Sequence, residues 1–376
     1  MRKRIIALVV LCCLLLSGCS WLDGEYHSVT PHKEQIYQGG TATASAGNYV
    51  QLRTVLADLV SQGTERAVID VSEYDQTLIQ GGLDMAVRYA RDIYPIGAYA
   101  VESIDYELGA SGGAPAVAVN ISYRHGRTQI REIQKASDLE DARGVIAKAL
   151  QNCDAGVVIL VESYEEADFV QLVDDYAAAH PENVMERPQT AVGVYPDSGR
   201  ARVVELIFTY QTSRESLRQM QEQVRPIFSS ANLYVGGDAT DYRKFSQLFA
   251  FLMERFDYTL ETSITPAYSL LWHGVGDSKA FAEVYAAMCR QADLQCLVVS
   301  GTRDGQSWYW NIVCDNGVYY HVDLLRCSEQ GGFRERADAE MLGYVWDYSA
   351  YPDCVQVWTP AVDDPVETTA PTEITE

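Results

Sequence analysis

The stretch that decides the fold of the C-terminal third is residues 278–323, which read SKAFAEVYAAMCRQADLQCLVVSGTRDGQSWYWNIVCDNGVYYHVD. Apolar residues at helical spacing predict a helix across residues 281–288, and the LVV run at 297–299 predicts a buried strand after it. The DNG sequence at 315–317 is a strong hairpin signal between two further strands. We therefore expect one helix followed by three consecutive strands.

Three short motifs in this stretch follow the order and spacing of a known domain. Residues 278–282 read SKAFA, residues 308–311 read WYWN, and residues 319–323 read YYHVD. They resemble the transglutaminase-like superfamily, whose pattern is C-x-G-Y-A at a helix start, H-A-W-N on a strand and W-Y-x-V-D on the next. The resemblance covers about residues 242–358 and implies a papain-like α+β domain.

Two of the three catalytic positions implied by this resemblance are occupied by residues that do not perform the family's catalytic roles. The nucleophilic cysteine is replaced by Ser278 and the histidine base by Trp308, whereas the orienting Asp323 is retained. A serine hydroxyl does not ionise usefully without an adjacent base, and an indole cannot accept or shuttle a proton. We therefore expect a catalytically degenerate site, in which Asp323 has nothing to orient and Ser278 serves as a helix N-cap.

Nearby groups do not restore the missing chemistry. Cys289 lies 11 residues beyond Ser278, or about 16 Å along a helix. Lys279 points about 100° away from its neighbour Ser278, and His321 stands at a position where active relatives often carry histidine. Two alternatives to a silent binding protein remain open. One is an active peptidase or amidase that uses Ser278, and the other is a purely structural scaffold.

Aromatic residues crowd the strands that would frame the degenerate site. We identify Trp308, Tyr309, Trp310 and Tyr320 as candidate binding residues for a peptide, a protein or a cell-wall component. On the family's geometry Trp308 should converge with Ser278 and Asp323. In the alternative interpretation Trp308 belongs to the hydrophobic core and plugs the site, so that no ligand enters.

The N-terminus carries an export and lipidation signal. Residues 2–4 are basic, and the apolar run at 5–16 is too short for an ordinary spanning helix. The LSGC sequence that ends at Cys19 resembles a bacterial lipobox. We expect residues 1–18 to be removed and Cys19 to anchor the protein by lipid to the extracytoplasmic face of the cell membrane. A plain secretory signal or a short anchor is the alternative.

The charge balance excludes one class of partner. The chain has 29 Lys+Arg and 52 Asp+Glu, which gives a net charge of −23. Such an acidic protein lacks the basic surface that nucleic acid binding requires. The cysteines lack metal-site spacing and the histidines are scattered, so we expect no metal and no cofactor.

Cys296 and Cys314 form a candidate disulfide pair. If their two strands pair about a turn centred on Gly305, the two cysteines face each other across the hairpin. Two unpaired buried thiols are the alternative, because a register slip of one residue would send the side chains to opposite faces.

The region before the transglutaminase-like part contains an internal repeat. Residues 67–74 (AVIDVSEY) align with 157–164 (VVILVESY) at an offset of 90, and residues 121–123 (ISY) align with 208–210 (FTY) at an offset of 87. Each copy is predicted as helix, strand, helix, strand, strand, helix. We therefore predict two duplicated small α/β modules, for which the sequence indicates no ligand.

The predicted organisation has six segments. They are a signal peptide (1–18), a linker (19–46), the first module (47–137), the second module (138–232), the transglutaminase-like domain (233–358) and a disordered acidic tail (359–376).

Overall fold

The computed structural model describes residues 42–237 and 239–355. The predicted signal peptide with Cys19, most of the linker and the acidic tail lie outside these residues. The described chain is a mixed α+β fold with three four-stranded sheets and one two-stranded sheet. Within it, no helix is both long enough and apolar enough to span a membrane.

The first sheet belongs to the N-terminal unit. Its strands are β1 (Ala44–Ser45), β2 (Arg66–Asp70), β3 (Val101–Ser111) and β4 (Ala114–Tyr123). The helices of this unit are α1 (Tyr49–Ser61), α2 (Ile79–Arg88), α3 (Pro95–Ala100) and α4 (Arg127–Glu132). The spatial order is β1-β2-β4-β3, with β1 parallel to β2 and the other pairs antiparallel. Apolar residues of α1 and α2 pack on the sheet as one core.

The second sheet belongs to the middle unit. Its strands are β5 (Gln134–Ala136), β6 (Gly156–Val161), β7 (Gln189–Tyr195) and β8 (Arg202–Thr209). The helices of this unit are α5 (Leu139–Gln151), α6 (Phe169–Ala179) and α7 (Arg214–Tyr234). The spatial order is β5-β6-β8-β7, again with one parallel pair at the edge.

The two sheets have the same strand order and the same pairing senses, and their central strand pairs have the same register. Ile69 pairs with Val117 in the first sheet. In the second, Ile159 lies 90 residues later than Ile69 and pairs with Val204, which lies 87 residues later than Val117. These offsets are those of the sequence repeat. Its origin by duplication stays a prediction.

The third unit contains the helix and the three strands expected from residues 278–323. Its helices are α8 (Asp241–Met253), α9 (Pro266–His273), α10 (Ser278–Gln291) and α11 (Leu324–Glu329). Its strands are β9 (Asp257–Tyr258), β10 (Val275–Gly276), β11 (Cys296–Arg303), β12 (Gln306–Asp315), β13 (Val318–Val322) and β14 (Tyr344–Trp346). The last four form an antiparallel sheet in the order β13-β12-β11-β14, on which α10 packs.

The register of the β11–β12 hairpin corrects the predicted cysteine pair. The turn consists of Asp304 and Gly305, both with positive φ, so that Arg303 pairs with Gln306 and Cys296 pairs with Val313. A two-residue turn of this kind matches the twist of the strands it joins. Cys314 therefore points to the opposite face from Cys296. Both are free thiols in the structure.

The predicted boundary at 232/233 falls inside α7. This helix begins in the middle unit, but its apolar face packs in the core of the third unit with Phe245 of α8 and Tyr285 of α10. The residues of α7 in that core are Leu217, Val224, Phe228 and Ala231. The helix therefore belongs to both units. A cut at 232 would remove these side chains from the core of the transglutaminase-like part.

Candidate functional site

The start of α10 places Ser278, the nucleophile position of the resemblance. Asp277, not Ser278, is the N-cap, because its carboxylate accepts the backbone N–H of Ala280 at 2.9 Å. The N-cap role predicted for Ser278 is therefore wrong. Ser278 is the first residue of the helix, is buried, and its Oγ accepts the backbone N–H of Tyr309 at 3.3 Å.

The indole of Trp308 takes the place of the imidazole on Asp323. The Trp308 Nε1–H donates to Asp323 Oδ2 at 2.9 Å, and the two side chains are buried. The expectation that Asp323 has nothing to orient is therefore wrong. An indole has one N–H, as a neutral imidazole does, and can satisfy a carboxylate acceptor in the same way. It has no second nitrogen with which to take a proton from Ser278.

Asp323 is held by several further groups. Its Oδ2 also accepts the Tyr344 hydroxyl at 2.6 Å, and its Oδ1 accepts the Arg326 backbone N–H at 3.1 Å, which caps α11. The Arg303 guanidinium lies 3.6 Å from Oδ2. Burial, together with the adjacent Asp323, raises the pKa of Tyr344. These partners engage both oxygens of the carboxylate and fix its position between β11, α11 and β14.

Two further side chains close over the Trp308 ring. The Tyr258 ring centroid lies 5.6 Å from that of Trp308, and the Arg303 guanidinium lies 5.1 Å from the indole centroid. Only 9% of Trp308 remains exposed. This packing supports the plugged alternative at the former base position.

The predicted binding aromatics are divided between two faces of the sheet. Trp308 and Trp310 share one face of β12 because side chains alternate along a strand, and Trp310 is core. Tyr309 lies on the other face, where its ring centroid is 5.6 Å from the Lys279 ammonium. Tyr320 pairs with Val313 and also lies on that second face. The four residues do not line one pocket.

His321 is committed to a buried network. Its Nδ1 accepts the Trp310 indole N–H at 2.9 Å, so the imidazole proton is on Nε2, which lies 2.8 Å from Asp338 Oδ1. Cys354 brings a thiol to the same place, with the three ligand atoms within 4.8 Å of one another. The Trp310 donor nevertheless leaves Nε2 without a lone pair for a metal. Burial lowers the pKa of His321, against the opposing effect of Asp338.

Sequence reasoning missed the residues that contact Trp308 or Asp323 in the hydrogen-bonded pair. Tyr258, Arg303 and Tyr344 come from β9, β11 and β14, which only the tertiary fold brings together. No local pattern marks them. Asp277 did have a signal, because an aspartate directly before an apolar-periodic segment is a typical N-cap.

One comparison with known protein families matches the C-terminal part of the chain. The family model described as transglutaminase-like superfamily matches residues 229–339. Among solved structures, a TGase is 10% identical, with 56% of this chain and 61% of that chain covered and a TM-score of 0.26. This chain thus spans less than two thirds of that protein's length.

A second solved structure is described as a "Putative Cysteine Protease" from Cytophaga hutchinsonii. It is 12% identical, with 42% of this chain and 70% of that chain covered and a TM-score of 0.25. No curated protein matches the sequence significantly. The family match contains the helix and strands that carry Ser278, Trp308 and Asp323. Residues 229–339 of this chain therefore form a transglutaminase-like superfamily domain.

Proposed function

We propose that this protein is a membrane-anchored, extracytoplasmic lipoprotein whose transglutaminase-like domain binds a peptide, protein or cell-wall component without catalysing its reaction. The observation that carries the proposal is the Trp308–Asp323 hydrogen bond of 2.9 Å. It fills the place of the catalytic base with a group that has no acceptor nitrogen. Ser278 is then left without a partner that can remove its proton.

Two other residues, His321 and Cys289, could in principle act as base or nucleophile, but their surroundings make them unsuitable. His321 is buried and bonded through both ring nitrogens, to Trp310 and Asp338. Cys289 is fully buried in α10, and burial raises the pKa of its thiol well above the ordinary value. A buried thiol of this kind is inert.

Activity assays on the purified mature protein test catalytic silence. We expect amine incorporation into a glutamine-containing acceptor protein, and cleavage of short peptides, at the rate of a reaction without protein. The matched control is Ser278→Ala, which should be indistinguishable from the wild type. Turnover by the wild type that disappears in Ser278→Ala would establish the active peptidase or amidase alternative instead.

The lipid anchor is proposed from residues 2–19 alone, because Cys19 lies outside the described residues. A basic n-region, a short apolar run and a small-residue sequence before a cysteine support it. We expect Cys19→Ala to accumulate as unprocessed precursor in a bacterial host. An unmodified Cys19 in the mature wild-type chain, measured by mass spectrometry, would disprove the anchor.

A further inference from the structure

The end of α10 folds back onto the strand that follows it. The backbone N–H of Leu294 donates to the Cys289 carbonyl at 2.9 Å, and that of Asp293 donates to the Arg290 carbonyl at 3.1 Å. Asp293 has φ of +58°, so the helix ends in a Schellman motif. This motif brings Leu294 against Cys289, and both side chains are buried in one core. β11 begins two residues later, at Cys296.

Cys296 lies on the face of the sheet that α10 covers. Asn311 marks that face, because its side-chain amide donates to the Ala282 carbonyl of α10 at 3.0 Å. Asn311 pairs with Val298, which shares a face with Cys296 because side chains alternate along β11. Cys296 packs against the core that contains Cys289, and the two thiols interact with each other. The helix end and the first residue of the strand therefore bring two thiols together.

The four other cysteines of the described residues are placed or bonded elsewhere. Cys314 projects from the opposite face of the sheet. The Cys327 thiol lies 3.4 Å from both the Arg334 carbonyl and the Arg336 guanidinium, and hydrogen bonds to each. The last two thiols also have hydrogen-bond partners, which are Gln221 for Cys153 and Pro352 for Cys354. Only Cys289 and Cys296 are thus left as a pair among the described thiols.

We propose that Cys289 and Cys296 form a disulfide in the mature protein, a modification that joins the end of α10 to β11. The structure holds this pair in its reduced form. The inference rests on the proposed function in one respect, the extracytoplasmic location, because disulfides form and persist in oxidising compartments. The oxidant is the disulfide form of an extracytoplasmic thiol–disulfide oxidoreductase.

The bond forms by two successive exchanges. The Cys296 thiolate, which is the more exposed of the two, attacks one sulfur of the oxidant disulfide and releases its partner as a thiol. The Cys289 thiolate then attacks the Cys296 sulfur and releases the second oxidant thiol. The pair loses two electrons and two protons, which reduce the oxidant to a dithiol. The exchange belongs to folding, because the finished core closes over Cys289.

Oxidative refolding of the purified mature protein tests the pairing. The reduced, denatured chain is refolded in a mixture of reduced and oxidised glutathione, and the remaining thiols are alkylated before digestion with trypsin. Cleavage after Lys279, Arg290 and Arg303 places the two cysteines in different peptides, residues 280–290 and 291–303. We expect mass spectrometry to find these peptides as one linked species, about 2 Da lighter than their sum, because two thiol hydrogens are lost.

Urea titration with and without dithiothreitol measures what the bond does. The oxidised wild type should unfold at a higher urea concentration than the reduced protein, because the crosslink restricts the unfolded chain. Cys296→Ser should unfold at the same concentration in both buffers. The matched control is Cys314→Ser, which removes a thiol from the opposite face of the same hairpin and should keep both the link and the shift. Circular dichroism checks that each variant is folded.

Recovery of both peptides alkylated and unlinked from the refolded protein would overturn the proposal, as would a link from either cysteine to Cys327 or Cys314 instead. Cells that make the full chain, quenched with acid before analysis, judge the proposed function separately. A link in the purified protein, with a reduced and unprocessed chain in cells, would refute the location while the pairing stands. A processed, lipid-modified chain with both thiols reduced would refute the disulfide while the location stands.

Discussion

Trp308 stands where the transglutaminase-like resemblance predicts a histidine, within the helix and strands that the family match contains. Its indole N–H satisfies Asp323, and its ring fills the space between Tyr258 and Arg303. Asp323 is buried, at 1% exposure, and the indole N–H adds one donor to those that Tyr344 and the Arg326 backbone already supply. Tryptophan supplies the donor and a large apolar surface together.

Substitutions of Trp308 should separate these two contributions. Trp308→Phe keeps most of the packing but removes the N–H, and we expect a loss of about 1–3 kcal/mol in the free energy of unfolding. Trp308→Ala also leaves a cavity, and we expect a loss of about 3–5 kcal/mol. Denaturant titration measures both. A loss below about 1 kcal/mol for Trp308→Ala would contradict the plugged site and restore the open cleft.

Glu283 makes stability depend on pH near neutrality. Burial raises its pKa to about 7, against the opposing effects of Lys279 and Arg187 and with a further small rise from Asp277. Because the folded-state pKa lies above the unfolded one, its contribution to stability is fully present below about pH 4.5 and is lost as the pH rises through 7.

Replacing Glu283 with glutamine should remove this pH dependence of stability. Glu283→Gln cannot ionise, so its unfolding free energy relative to the wild type should increase between pH 5 and pH 8, by up to about 3 kcal/mol. Urea titrations of the two proteins across this range measure the difference. A difference that stays constant with pH would contradict an elevated Glu283 pKa.

At the scale of elements, the β11–β12 turn sets the register of the site. Gly305 has φ of +80°, a conformation that disfavours any side chain. We expect Gly305→Ala to lower the unfolding free energy by about 1 kcal/mol. Gly81→Ala is the matched control, because Gly81 is exposed within α2 and an added Cβ meets no atom within 4 Å. That change should stabilise by up to about 1 kcal/mol. A loss in both variants would show that the turn conformation is not the cause.

The sequence was most informative where structure is set locally. The helix and strands of residues 278–323 follow from periodicity and from the Asn316-Gly317 turn. The cysteine register was predicted wrongly because the turn was centred on Gly305, although Asp304-Gly305 is itself a two-residue turn signal. The other partners of Asp323, such as Tyr344, were not predictable because they depend on strand pairing between distant segments.

At the scale of the whole molecule, α7 joins the middle unit to the transglutaminase-like domain. Its apolar face is part of the domain core, and Arg290 of α10 adds an ion pair of 2.9 Å to Glu182 of the middle unit. A cavity lined by Arg187 and Glu283 lies along the same junction. The domain is therefore completed by residues that precede the predicted boundary.

Two fragments of the chain test this dependence. We expect residues 210–355, which contain all of α7, to unfold cooperatively in denaturant. Residues 233–355 lack the helix positions of Leu217, Val224 and Phe228, and we expect them to show no cooperative transition. If the shorter fragment unfolds cooperatively at the same midpoint, α7 is not part of the domain core.

The most direct test of the central claim is the pH dependence of alkylation at residue 278, measured by iodoacetamide labelling and mass spectrometry. With Ser278→Cys alone, the new thiol has the Asp277 carboxylate as its neighbour and no imidazole, so its apparent pKa should be about 8.5 or higher. With Ser278→Cys and Trp308→His together, the imidazole can take the indole's place on Asp323, and the apparent pKa should fall by at least one unit. A depressed pKa and catalytic turnover in the single variant would contradict the claim that loss of the base silences this domain.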